Sequence, residues 1–381
     1  MMPDIHAVLS ASGAHRWLNC TPSALLEAKK PDSSSAAAEQ GTAAHALAEH
    51  KLLSLLGRSA GSLPSSELID EEMDEHTDDY AAYIMERLAQ AREVCGDPFV
   101  LVEERLDFSH VVPGGFGTGD CVLIAEPVLE IIDFKYGLGV LVEAQGNAQM
   151  RLYALGALHA YGHLYGIERV RMTIFQPRRS NISTAEMSVE ELEVWAESYV
   201  KPRAELAITG SGAFQAGSWC QFCKIAPTCR ARAEKNQALA ALEFKPPAEL
   251  NDAEIAQVLS AIPELTSWAS DVQTYALTAA INQGKQWAGF KLVEGRSVRK
   301  YVDETAVTQT LNNAGVTGFT KTSLLGITDM TKLLGKKKFT QLLGDLVVKP
   351  HGKPQLVPLS DKRPKLTFAD ATQEFSNTTK E

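Results

Sequence analysis

The sequence predicts an α/β fold in which a small mixed sheet is flanked by helices. Three strand-like runs follow one another at residues 99–108, 118–125 and 128–136, with turn residues between them. A helical pattern and a fourth strand-like run, at 169–176, come next. This strand–strand–strand–helix–strand order is typical of a sheet covered by helices.

The remaining periodic segments are predicted as helices. Before the strands, we expect a helix holding Trp17 and Cys20, and later a helix that starts with Thr42 as its N-cap. Residues 62–76 are acidic and are expected to form turns. The predicted helices span residues 8–30, 41–57, 78–94, 143–161, 189–206 and 251–283.

Length and charge indicate one large domain with smaller additions. The chain has 381 residues, a hydrophobic content of 45% and a net charge of −10. Residues 285–365 nevertheless hold 15 Lys or Arg against 6 Asp or Glu, so an acidic total does not exclude a nucleic-acid partner. The predicted segments are an N-terminal helix and loop (1–40), a core (41–215), a cysteine loop (216–235), a helical segment (236–286), a basic segment (287–365) and a disordered tail (366–381).

Hydropathy predicts no membrane span, because no run of about 18 apolar residues occurs. The opening residues lack the basic and apolar stretches of a secretory signal. We therefore expect a cytoplasmic protein, in whose reducing compartment clustered cysteines favour metal binding over disulfides.

Four cysteines have the spacing of a shared metal centre. Cys220, Cys223 and Cys229 form a C-x2-C-x5-C pattern, and 199 residues separate Cys20 from the first of them. They can hold one centre only if the start of the chain folds back onto residues far beyond its middle. Four thiolates suit zinc or an iron–sulfur cluster, and the spacing alone leaves both open. The other two, Cys95 and Cys121, are expected to be small buried side chains.

Two carboxylates and a lysine are predicted to converge on the sheet. Asp133 and Lys135 are two apart on one strand, so their side chains share a face. Asp120 lies on the preceding strand and joins them if the two strands pair. Carboxylates that converge repel each other unless a cation lies between them, and oxygen ligands favour Mg²⁺ or Mn²⁺. The alternative is an ordinary ion pair between Asp133 and Lys135.

Flanking helices offer four further polar candidates. His45 can give an imidazole nitrogen to a metal, unless it is a histidine packed over the sheet, and Glu49 shares its helix face. Gln149 and Tyr153 share a face of the helix after the third strand and can hydrogen-bond phosphate or water. In the basic segment, candidates for contacts to a DNA backbone are Arg296, Arg299, Lys300, Lys336, Lys337 and Lys338.

Together these motifs resemble the RecB-type branch of the PD-(D/E)XK nuclease superfamily, which includes helicase–nuclease and CRISPR-adaptation nucleases. The matching stretches, in the family's order, are Gly41-Thr42-Ala43-Ala44-His45, Gly119-Asp120, Asp133-Phe134-Lys135 and Gln149-x3-Tyr153. The resemblance implies a restriction-endonuclease-like fold for the core. It also implies metal binding by His45, Asp120 and Asp133, a catalytic role for Lys135, and completion of the site by Gln149 and Tyr153.

The cysteine pattern extends this resemblance, because several RecB-type nucleases hold a [4Fe–4S] cluster on one early and three late cysteines. The resemblance therefore favours a [4Fe–4S] staple on Cys20, Cys220, Cys223 and Cys229, beside a Mg²⁺ or Mn²⁺ catalytic site. The implied function is a phage-type DNA exonuclease in recombination or repair, acting on single- or double-stranded ends, with a single-strand-binding or annealing protein as partner. The alternatives are a non-catalytic DNA-end-binding scaffold and a structure-specific endonuclease.

Overall fold

A five-stranded mixed sheet forms the centre of the first of two structural units. The structure is a computed structural model that describes residues 7–31, 35–240, 252–295, 299–319, 324–348, 354–358 and 363–366. The units are Met1–Leu265 and Thr266–Glu381. The predicted fold class is confirmed at the level of a mixed α/β sheet flanked by helices.

The sheet has its strands in sequence order, and only β3 and β4 run parallel. A parallel neighbour requires a crossover, and helix α5 (Ala148–Tyr161) supplies it. The last strand was not predicted, because its exposed edge position leaves it without a strong hydrophobic alternation. The strands are β1 Phe99–Asp107, β2 Phe116–Ala125, β3 Val128–Phe134, β4 Arg169–Gln176 and β5 Asn181–Ser188.

Helices cover both faces of the sheet, which explains why β3 is buried on both sides. On one face α5 packs over Val122, Ile131 and Ile174. On the other face Leu123 and Phe134 pack against the first long helices. The other helices of this unit are α1 Ala14–Asn19, α2 Ser23–Ala28, α3 Ala36–Leu55, α4 Glu71–Val94, α6 Val189–Trp195, α7 Lys201–Ile208 and α8 Arg230–Ala240.

Two long helices begin earlier than predicted because their caps lie further upstream. The Ser35 side chain accepts a hydrogen bond from the Ala38 amide and caps α3, whereas Thr42 lies inside that helix. Asp70 caps α4 in the same way, through the Met73 amide. The acidic residues after Asp70 therefore form a favourable first helical turn instead of the predicted irregular segment.

The first predicted helix is interrupted at Cys20. Helix α1 ends at Asn19, and Pro22 precedes the first residue of α2. Proline has no amide hydrogen to continue the helical hydrogen bonds, so the chain turns here. Cys20 consequently lies in the connection between two short helices.

The second unit has its own small core of mostly helical residues. Val307, Leu311, Phe339 and Leu343 are among its buried side chains. Arg296 and the predicted tail beyond residue 366 lie outside the described residues. Its elements are β6 Phe290–Glu294, β7 Lys300–Tyr301, α10 Glu304–Asn313, α11 Ile327–Leu334, α12 Lys336–Leu343, β8 Val347–Val348 and β9 Pro354–Pro358, and α9 Asp252–Gln283 spans the division between the units.

Hydropathy within the described ranges identifies no helix that is both long and apolar enough to cross a membrane.

Candidate active site and cysteine centre

The candidate active site begins where β2 and β3 separate. Their antiparallel pairing ends at Cys121 and Ile132, so Asp120 and Asp133 lie just beyond the last paired residues. The backbone amide of Phe134 donates to Asp120 Oδ2 at 2.6 Å instead of continuing the ladder. The end of the pairing therefore places two carboxylates together at one end of the sheet.

Asp133 and Lys135 project from the same side of the chain, as predicted from their spacing. Lys135 Nζ lies 2.9 Å from Asp133 Oδ2. The carboxylate of Asp133 is almost fully buried, whereas the lysine side chain is 30% exposed. The ammonium group thus has one buried partner while it remains accessible from solvent.

Gln149 and Tyr153 approach the same carboxylate from α5. Gln149 Nε2 lies 3.3 Å from Asp133 Oδ1 and 3.1 Å from the Tyr153 hydroxyl. Gly117 on β2 leaves room for the tyrosine, because an added Cβ there would lie 2.7 Å from Tyr153 Cε1. The structure therefore brings both predicted helix residues into the site.

His45 reaches the site from α3. Its Nδ1 lies 3.3 Å from Asp120 Oδ1, and its ring packs edge-on against Phe134 with the ring centroids 5.5 Å apart. Packing against Phe134 orients the imidazole towards the carboxylates. His45 is therefore packed over the sheet and also directed into the candidate site. The two interpretations of this residue, a packed histidine and a metal ligand, are compatible.

Glu103 also contributes a carboxylate and was not predicted. It lies opposite Asp120 in the β1–β2 register, between the pairs Val102–Cys121 and Glu104–Gly119. Its φ of +50° is unusual for a residue other than glycine. The missing signal was the strand register: Glu103 and Glu104 are adjacent glutamates, and only the pairing shows which one faces Asp120.

One imidazole and two carboxylates form a compact set of candidate metal ligands. Ligand atoms of His45, Glu103 and Asp120 all lie within 4.8 Å of one another. This set differs from the predicted one, since it contains Glu103, and Asp133 is instead directed at Lys135 and Gln149. The structure thus adds a carboxylate to the predicted site.

The pKa values in this site reflect a concentration of negative charge. Burial and the Asp120 charge raise the pKa of Glu103 to about 7. Burial alone would lower the pKa of His45, but the charges of Asp120 and Asp133 outweigh it and raise that pKa to about 8. Burial raises the pKa of Asp133 despite the nearby Lys135.

These side chains fit a hard divalent cation. Like charges directly opposite on neighbouring strands destabilise a sheet, and a cation between Glu103 and Asp120 would remove that repulsion. Imidazole and carboxylate ligands suit Mn²⁺, and carboxylates suit Mg²⁺. The donor set and its charge are therefore compatible with the predicted metals.

The cysteine loop lies beside the N-terminal helices. Thr21 Oγ1 donates to the Ser211 carbonyl at 2.6 Å, which fixes the residue after Cys20 close to the end of α7. The carboxylate of Glu27 accepts from the Lys224 backbone amide and from Arg16, each at 2.9 Å. The start of the chain is thus bonded to residues about 200 positions later.

The four predicted cysteines lie close enough to influence one another's pKa values, and their sharing of one metal centre stays a prediction. All are free thiols, and the pKa of Cys20 is raised first by burial and then by the charges of Cys229 and Cys220. Burial likewise raises the pKa of Cys223 to about 11, with a further contribution from Cys220. The Gly217 amide lies 3.5 Å from Cys220 Sγ, and such amide contacts stabilise a thiolate.

The two other cysteines have different surroundings. Cys121 is completely buried in the core between the sheet and the helices α3 and α4. Cys95 packs at the edge of that core. The expectation of a small buried side chain is confirmed for Cys121, whereas Cys95 is only partly buried.

Comparison with known proteins identifies a family, and it also finds distant similarity to solved structures. A solved structure titled "Crystal structure of SSO0001" is 12% identical, and the match covers 57% of this chain and 96% of that chain with a TM-score of 0.23. The model of the family described as "Protein of unknown function (DUF2800)" matches residues 6–364. Because that match spans nearly the whole sequence, the chain belongs to the DUF2800 family.

Proposed function

We propose that this protein is a metal-dependent deoxyribonuclease that acts on DNA ends. The observation that carries the proposal is the convergence of His45, Glu103 and Asp120 on one side of Asp133 and Lys135. A divalent cation next to a partly exposed ammonium group suits phosphoryl-transfer chemistry, because both positive charges stabilise the phosphate oxygens in the transition state. The resemblance of the motifs to PD-(D/E)XK nucleases of the RecB type supports the same conclusion.

The cation would be held by His45, Asp120 and Glu103, with Asp133 close by. Bound there, Mg²⁺ or Mn²⁺ would supply the Lewis-acid chemistry that phosphodiester hydrolysis needs. Glu103 and Asp120 face each other across β1 and β2, and their negative charges attract such a cation.

Lys135 has the position expected of the residue that orients the attacking water. Its ammonium group is anchored by Asp133 and keeps hydrogen-bond donors available for a water or a phosphate oxygen. Gln149 fixes the other oxygen of Asp133, so the carboxylate cannot rotate away. The Tyr153 hydroxyl can then donate to the phosphate, while Gln149 donates to its oxygen.

We further propose that Cys20, Cys220, Cys223 and Cys229 hold a [4Fe–4S] cluster as a structural staple, with zinc as the alternative. Metal analysis of anaerobically purified protein separates the two: a cluster gives iron and acid-labile sulfide, whereas the alternative gives zinc alone. A cytoplasmic location remains a prediction from the sequence, and a single-strand-binding or annealing partner remains a prediction from the resemblance.

The experiment that tests the nuclease proposal is cleavage of end-labelled single- and double-stranded DNA with Mg²⁺ or Mn²⁺. We expect Lys135→Ala to lower the cleavage rate roughly 10²- to 10⁴-fold, the range for loss of a general acid–base group. The control Lys201→Ala removes a surface lysine paired with Glu197 and should cleave normally.

The outcome also separates the alternatives. Unchanged cleavage by Lys135→Ala would show that the catalytic assignment is wrong. DNA binding without metal-dependent cleavage by the unaltered chain would indicate a non-catalytic scaffold. Cleavage of covalently closed circles as fast as linear DNA would indicate an endonuclease instead of an exonuclease.

A further inference from the structure

A cavity of about 710 Å³ lies between the end of α2 and the start of α8, beside Cys229. Its volume is in the range of pockets that hold small ligands, roughly 300–1,000 Å³. None of the residues in the candidate active site lines it. The cavity is therefore separate from the site to which the proposed nuclease chemistry belongs.

The lining of this cavity is positively charged. Lys29, Lys30 and Arg230 contribute three cations against the single carboxylate of Glu234. All three cations are exposed, and within the described ranges none of them forms an ion pair. The first turn of α8 lines the same cavity, and the amide groups of a helix start add to the positive potential.

Apolar surface lies among these charges. Phe214 is 49% exposed although it is aromatic, and Leu26 and Ile225 also line the cavity. Cations that line the same cavity as an exposed aromatic ring match the chemistry of a nucleic-acid strand, whose phosphates pair with the cations while a base stacks on the ring. A flexible single strand offers both groups in a small space, whereas a duplex keeps its bases stacked internally.

We propose that this cavity binds a short stretch of single-stranded DNA outside the active site. The proposal rests on the proposed function in that it takes DNA as the substrate. In it, Lys29, Lys30 and Arg230 contact backbone phosphates, and Phe214 stacks against one base. The strand would pass next to Cys229, so DNA would bind adjacent to the cysteine centre.

Equilibrium binding without catalysis tests the proposal. The full chain is titrated in EDTA against a fluorescein-labelled (dT)12 oligonucleotide, and anisotropy is measured at several KCl concentrations. The variant Lys29→Ala/Lys30→Ala/Arg230→Ala should show a slope of log affinity against log salt that is shallower by about 2, since each lost phosphate contact removes about 0.7 on a single strand. Phe214→Ala should weaken binding on the order of ten-fold with an unchanged slope.

Matched controls keep the result specific to the cavity. Phe222→Ala removes another exposed phenylalanine, and Lys201→Ala/Lys332→Ala removes surface lysines that are paired with acids; neither change lies in the cavity. Both controls should bind as the unaltered chain does. Phe214→Leu, which keeps an apolar side chain, should weaken binding as Phe214→Ala does if stacking is the contact.

Three results would overturn the proposal. The first is a triple variant with the salt slope of the unaltered chain, and the second is displacement of the oligonucleotide by an equimolar amount of thymidine monophosphate. The third is a blunt duplex that binds as tightly as (dT)12 and is weakened as much by the same substitutions. Metal-dependent cleavage is scored separately on the same preparations. If cleavage is absent but the triple variant still loses its salt slope, the nuclease proposal fails and the binding site stands. If cleavage occurs and the slope is unchanged, the binding site fails alone.

Discussion

Glu103 and Asp120 lie opposite each other on β1 and β2, and His45 Nδ1 lies 4.0 Å from Glu103 Oε1 and 3.3 Å from Asp120 Oδ1. Burial and then the charge of Asp120 raise the pKa of Glu103 to about 7, although the charge of His45 lowers it. The backbone of Glu103 is also in a region of positive φ that costs on the order of 1–3 kcal/mol. The facing carboxylates and the positive φ both destabilise the metal-free fold, and both are expected at a site where a bound cation stabilises the fold.

We predict that Glu103→Gln, measured in EDTA, raises the free energy of unfolding by an amount that depends on pH. A carboxyl group with a raised pKa favours folding fully below its unfolded value of about 4.5, and this contribution is lost as the pH rises through about 7. Glutamine does not titrate. The unfolding free energy of the variant relative to the unaltered chain should therefore increase by about 2 kcal/mol between pH 5 and pH 8.

Urea denaturation at both pH values measures this difference. Glu104→Gln is the matched control, because the Glu104 carboxylate accepts from the Tyr161 hydroxyl and does not face the site. Addition of Mn²⁺ at pH 8 should stabilise the unaltered chain more than the Glu103→Gln variant. An equal gain in the two proteins would remove Glu103 from the ligand set.

At the level of elements, the contact between α5 and the sheet determines where Gln149 and Tyr153 point. Gly156 lies where this helix crosses β1, and an added Cβ there would be 2.9 Å from Leu106 Cβ and 3.1 Å from its carbonyl carbon. Backbone atoms cannot move aside as a flexible side chain can. The close approach of helix and strand therefore depends on the missing side chain.

We predict that Gly156→Ala destabilises the protein by about 1–3 kcal/mol, the usual cost of inserting atoms into a packed core. Gly41→Ala in α3 is the matched control, since nothing lies within 4 Å of its added Cβ. Alanine is preferred over glycine inside a helix, so the control should gain about 0.5–1 kcal/mol. Thermal unfolding of both variants measures the contrast, and a neutral Gly156→Ala would contradict the close packing.

At the level of the whole molecule, the hydrogen bonds of Thr21 and Glu27 hold the chain in a loop of about 200 residues. Closing such a loop is entropically costly, and a few hydrogen bonds offset only part of that cost. A metal or cluster bound by Cys20 and the three later cysteines would constrain the loop further. The sheet and the candidate active site both lie within this loop.

We predict that Cys20→Ser abolishes or strongly reduces bound iron or zinc and lowers the melting temperature on the order of 5–10 °C, as expected for loss of a cross-link in a large domain. Cys95→Ser should leave the metal content unchanged, because that cysteine packs at the edge of the core between the sheet and helices α3 and α4. Elemental analysis and calorimetry on anaerobic protein provide the measurements. Full metal retention in Cys20→Ser would exclude this residue as a ligand.

Much of the candidate site follows from local spacing. The alternation of a strand places Asp133 and Lys135 on one face, and the helical repeat places Gln149 and Tyr153 on another. These are properties of neighbouring residues, so the sequence by itself determined them, together with the order of the central strands and the mixed α/β class.

Only the tertiary structure decided which distant groups meet. Strand register selected Glu103 over Glu104 as the residue opposite Asp120, and a one-residue shift would have reversed that choice. Helix starts depended on the caps Ser35 and Asp70, whose alternatives are equally plausible in the sequence. Register, packing and chain closure depend on contacts between residues far apart in sequence, and local patterns do not encode those contacts individually.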